Sequence, residues 1–179
     1  MTKAGSETRK LGKWLYEHCA NHGLPFDVYY HHGYKGKDPH VASPQGFYGG
    51  KASTLTNLAI VDVVVGTNDG KAKLIVEIEE HSASPKKVIG NILAIMMCNA
   101  FKACGRNYHV NEDTSLILAC WFTEKGRGRE KAEHLFNRIK EWGGFRGGVA
   151  IRNVHLILEN NLSDLIARTK DIVLELLVM

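Results

Sequence analysis

The chain has 179 residues, 44% of them hydrophobic and 23% charged, and carries a net charge of +4 with a pI near 8.8. That length buries one good core and is short for two, so a single domain over 1–179 is expected, with a mild basic excess that fits a polyanion partner without requiring one. No apolar run approaches the ~20 residues needed to cross a bilayer, and residues 1–7 lack the apolar stretch of a secretory signal, so a cytoplasmic protein without a membrane role is expected.

In chain order, Leu11, Trp14, Leu15 and Cys19 recur at helical spacing over 6–21, with Ser6 placed to cap the start and Gly23-Leu24-Pro25 to stop it. The aromatic and branched residues of 26–31 read as a first strand. A long polar segment, 33–56, follows. Strands two and three are expected over 58–65 and 73–79, joined through Asn68-Asp69-Gly70 as a hairpin. Ser84-Pro85 then gives a cap and a first-turn proline for a second helix, whose apolar arc runs from Val88 to Met96 and ends near Cys104-Gly105. An apolar strand over 115–122, a helix over 129–142, a strand over 149–158 and a last helix from Asn161 complete the order. The predicted architecture is α/β, a mixed central sheet flanked by helices, with the order α-β-β-β-α-β followed by α-β-α.

The chemistry lies in the acids of strands two and three. Side chains alternate along a strand, so Glu77 and Glu79 share a face with Ile75, and the hairpin brings Asp62 within a few residues of register with Glu77. Carboxylates inside apolar strands are costly unless a cation meets them, and like charges held together raise one another's pKa. A hard divalent ion such as Mg2+ or Mn2+ relieves both, and can lower the pKa of a bound water and neutralise a phosphodiester. On the second helix Lys87, Asn91, Ala94 and Cys98 form a polar or small stripe beside the apolar arc, so Lys87 is a candidate cation for the acids. The four cysteines, Cys19, Cys98, Cys104 and Cys120, show no Cys-x-x-Cys spacing, three of them sit among apolar residues, and they read as buried thiols rather than zinc ligands. His31 and His32 are neighbours in a strand pattern, so their side chains are expected on opposite faces and a joint metal site is not. Glu80 and His81, past the strand end, read as surface residues.

These residues and this order resemble the PD-(D/E)xK nuclease superfamily, the fold of many restriction endonucleases and archaeal Holliday-junction resolvases, over roughly the first two thirds of the chain. The resemblance implies a restriction endonuclease-like core in which Asp62 and Glu77 are metal ligands and Glu79 a ligand or water-orienting base. Glu7 would join them from the first helix. The chain departs from the family pattern by Glu-x-Glu in place of Glu-x-Lys, a substitution some active members carry, and others move the Lys to the helix where Lys87 stands. The function implied is a metal-dependent nuclease hydrolysing DNA; the apolar stripe of the last helix reads as core or as a homodimer face, and a homodimer would suit cutting both strands. The alternative is a non-catalytic DNA-binding or assembly module of the same fold. Candidate phosphate contacts are Lys35, Lys37 and Lys51 in the long polar segment, and Lys125, Arg127 and Arg129 ahead of the third helix.

Overall fold

The computed structural model describes residues 5–32, 38–49, 51–80, 84–122, 127–141, 151 and 153–178. Lys35, Lys37, His81 and Lys125 lie outside the described residues. In chain order the elements are α1 (Ser6–Asn21), β1 (Phe26–Tyr30), β2 (Gln45–Phe47), β3 (Asn57–Ile60), β4 (Val63–Thr67), β5 (Ala72–Glu79), α2 (Pro85–Met96), β6 (Ala100–Ala103), β7 (Arg106–His109), β8 (Ser115–Trp121), α3 (Gly128–Glu141), β9 (Asn153–Glu159) and α4 (Leu162–Val178). Among the described residues no helix is long and apolar enough to cross a membrane.

Two sheets form. The larger has the order β1-β4-β5-β8-β9, antiparallel across β1, β4 and β5 and parallel across β5, β8 and β9. The smaller, β3-β2-β6-β7, is antiparallel throughout. The α/β class and the mixed sheet flanked by helices therefore match the expectation from sequence.

Alternation along β5 sorts the core. Leu74, Val76 and Ile78 pack with Leu11 and Leu15 of α1 and with Leu165 and Val173 of α4. Ile75, in the opposite phase, packs with Val88 and Ile92 of α2, Phe136 of α3 and Phe101 and Tyr108 of the smaller sheet. Val63, Val64, Val65, Leu74, Ile75 and Val76 are fully buried, each contributing about 1.5–3 kcal/mol. The strands that carry the acids are thus fixed on both sides.

Four expectations need correction. The run expected as one strand over 58–65 is two: Ala59 pairs with Gly46 in the smaller sheet, Val63 pairs with Val76 in the larger, and Val61-Asp62 lies at the crossing. The second helix stops at Met96, not near Cys104, and 100–109 is a hairpin in which Ala103 pairs with Arg106. Cys104 and Gly105 both take positive φ, 46° and 82°, as a tight two-residue hairpin turn requires. Finally, Ser6 does not cap α1. Its N-cap residue is Gly5, without a side-chain cap, and the Glu80 carboxylate at the end of β5 accepts from Gly5 N at 3.1 Å and Thr8 N at 2.6 Å. A negative charge on those otherwise unpaired N–H groups suits the helix dipole. Glu80 is accordingly buried, at 9% exposure, rather than a surface acid.

Candidate metal and phosphate site

The site is built where β4 begins and β5 ends. Val63 opposite Val76 sets the register, and one residue further on Asp62 meets Glu77: Asp62 N donates to Glu77 Oε2 at 3.2 Å. Asp62 is held from the other side, since Ile78 N donates to its Oδ2 at 2.8 Å and Thr8 adds a side-chain hydrogen bond. Asp62 therefore lies between the larger sheet and the first turn of α1.

Glu79, on the same face as Glu77, turns to α2. Lys87 Nζ lies 2.6 Å from its Oε2 and Asn91 Nδ2 donates to its Oε1 at 2.8 Å. The helix is aimed by its start, where Ser84 accepts from Lys87 N and Pro85 occupies the first turn. Residues 87 and 91 are one turn apart, so both donors fall on the face toward β5. Lys87 and Asn91, of the stripe read from sequence, thus meet Glu79, and each of its oxygens carries one of these donors.

The electrostatics follow from burial. Asp62, 7% exposed, has its pKa pushed up to about 7, chiefly by loss of solvent, then by the Glu80 and Glu79 charges, against the lowering effect of the Ile78 N–H. Glu77, half-buried, is also raised, first by desolvation and then by Asp62 and Glu79, with Lys87 opposing. The Lys87 ammonium is held above its usual range by its bond to Glu79. Protonation or a cation is what such a group of acids requires.

Other sequence-based candidates fall elsewhere. Glu7 pairs with Lys10 at 2.7 Å and accepts from Ser6; the residue of that turn reaching Asp62 is Thr8. Lys51 and Arg127 are exposed. Arg129 lines a small open pocket with Glu133, Phe136 and Arg168 against β9, two strands removed from β5.

The histidine pair departs from expectation. β1 ends at Tyr30, so alternation no longer governs the next two residues, and His32 takes φ 63°. The rings of His31 and His32 lie with centroids 3.9 Å apart, tilted by 33°. His31 N donates to the Asp62 carbonyl at 2.8 Å, which brings the pair alongside the acid. His31, His32 and Asp62 form the trio among the described residues whose ligand atoms all lie within 4.8 Å of one another. Comparisons with protein-family models, curated proteins and solved structures find no match to this chain.

Proposed function

We propose that the protein is a metal-dependent nuclease that hydrolyses DNA phosphodiester bonds, built on a PD-(D/E)xK-like core in which Asp62, Glu77, Glu79 and Lys87 form the centre. The observation that carries the reading is the meeting of Asp62, Glu77, Glu79 and Lys87 at one end of β5. The antiparallel β1-β4-β5 run and the parallel β8 that follows α2 support the reading, while β2, β3, β6 and β7 add to the α-β-β-β-α-β order the resemblance implies.

Carboxylate oxygens such as those of Asp62 and Glu77 are the donor type a hard divalent cation, Mg2+ or Mn2+, takes. Asp62 Oδ2 and Glu77 Oε2 are oriented by backbone N–H groups. A cation held by Asp62 and Glu77 supplies Lewis acidity and neutralises charge on the scissile phosphate. Lys87 carries the positive charge that the family pattern puts on the strand, anchored by Glu79 so that its ammonium stays beside Glu77. Glu79 is then a positioning residue, its two oxygens engaged by Lys87 and Asn91. Asn91 restrains Glu79 in turn. Arg127, Arg129 and Lys51 are left to track the phosphate backbone.

The test is cleavage of supercoiled plasmid and branched DNA with Mg2+ or Mn2+. Wild type is expected to nick or linearise the DNA, and Asp62→Ala or Glu77→Ala to abolish cutting. An intact substrate with both metals refutes the reading. The closed Glu79–Lys87–Asn91 network also favours a second reading, a DNA-binding or assembly module that does not cut. It predicts binding that weakens steeply with salt and is indifferent to Glu77→Ala.

A further inference from the structure

We infer that His31, His32 and Asp62 form a site for one divalent transition-metal ion of the borderline class, Zn2+ or Co2+, in preference to Mg2+. The inference shares Asp62 with the proposed nuclease centre but does not rest on cleavage, since it follows from three side chains and the backbone that sets them.

His32 Nε2 lies 3.8 Å from Asp62 Oδ1. That separation is beyond a hydrogen bond and within the ~4.2 Å that two ligands span across one ion at metal–ligand lengths of about 2.1 Å. The second imidazole completes a set of atoms within 4.8 Å. Two imidazole nitrogens with one carboxylate suit a borderline metal, whereas Mg2+ takes oxygen ligands and keeps its waters. Three protein ligands also leave positions open to solvent or substrate, as in reactive rather than structural sites.

The surroundings hold the three side chains next to one another, so drawing the 4.8 Å set inside a span of about 4.2 Å needs only small side-chain rotations. Asp62 is oriented through Oδ2 by Ile78 N, which leaves Oδ1 toward His32. The His31 N–H to Asp62 carbonyl bond locks the two segments together. His32 is kept in the left-handed region beside the start of α1, where Gly5 also has positive φ and any Cβ would overlap the His32 ring. The imidazole thus occupies space that a side chain at position 5 would fill. Burial grades from Asp62, buried, through His31, half-buried, to His32, exposed, so an ion enters from the solvent side.

The experiment is a titration of the full-length protein with Co2+, followed by its d–d absorption and by calorimetry, with no nucleic acid present. One Co2+ is expected to bind, displaced by Zn2+ and not by equimolar Mg2+. His31→Ala and His32→Asn are expected to weaken binding at least tenfold. Asn tolerates left-handed backbone, and circular dichroism verifies that each variant folds. The control His134→Ala, an exposed position on α3, should bind as wild type does. Absence of Co2+ binding, or binding that survives both histidine substitutions in folded protein, overturns the inference. Failure of DNA cleavage with Mg2+ and with Mn2+, in protein that still binds Co2+ in the titration, would sink the nuclease reading alone.

Discussion

Replacing Asp62 by Asn should stabilise the metal-free protein. The carboxyl has an ordinary pKa of 3.8 in the unfolded chain and holds its proton to about pH 7 when folded. Because the folded pKa is raised, the folded state binds more protons than the unfolded between those values, so stability falls as pH rises from about 4 to about 7 and the deficit is complete above that. Roughly three pKa steps at ~1.36 kcal/mol each set an upper bound of about 4 kcal/mol. Asn keeps an oxygen for the Ile78 N–H and removes the charge opposed by Glu77, Glu79 and Glu80, but its amide needs a partner, so a gain of about 2–3 kcal/mol is expected. For a chain of this size that raises the melting temperature by about 4–12 °C. The assay is thermal unfolding of wild type and variant in chelator at pH 4, 5, 6, 7 and 8. The gap between the two melting temperatures should open with pH and level off above 7. Millimolar Mn2+ should close it by raising wild type only, since an ion at 100 times its Kd contributes about 2.7 kcal/mol. A gap that is absent at pH 8, or equal at pH 4 and pH 8, refutes the reasoning.

Three further outcomes follow from other interactions. Glu80→Ala strips the acceptor from Gly5 N and Thr8 N and should cost about 1–2 kcal/mol, read as a lower urea midpoint, with Glu80→Gln recovering part of it. Lys87→Met leaves the buried Glu79 carboxylate with only Asn91; discounted for the exposure of the lysine, the loss should be about 1–2 kcal/mol by denaturant titration, and plasmid cutting should disappear while Lys87→Arg retains some. The double variant Arg127→Ala with Arg129→Ala should flatten the plot of log DNA affinity against log salt by about two, near 0.9 for each phosphate no longer neutralised, in a filter-retention assay across 50–300 mM salt.

Much of this is legible in the sequence, and what is not has definite causes. The pairing of Asp62 with Glu77 follows from alternation and hairpin register, both of which hold wherever one face of a strand is committed to a core. Lys87 and Asn91 follow from helical spacing after a capped proline turn. The break at Val61-Asp62 is not readable, because Leu58 to Ile60 and Val63 to Val65 read as one apolar run although they pair in different sheets. The hairpin of 100–109 leaves a faint sign in Gly105 flanked by Phe101 and Tyr108, outweighed by the helical arc before it. The histidine pair escapes a reading by alternation because β1 ends one residue before it. Glu80 gives no local sign, since the groups it serves lie 72 and 75 residues away.

That separation has a consequence for synthesis. A helix of 16 residues is marginal in water by itself, and α1 gains its distant acceptor only when Glu80 has left the ribosome, about 4–15 s after Gly5 at ~5–20 residues per second. Through that interval the nascent amino-terminal segment exposes Leu11 and Leu15. It is then open to chaperones and proteases, and it closes as the strand bearing Glu77 and Glu79 is completed.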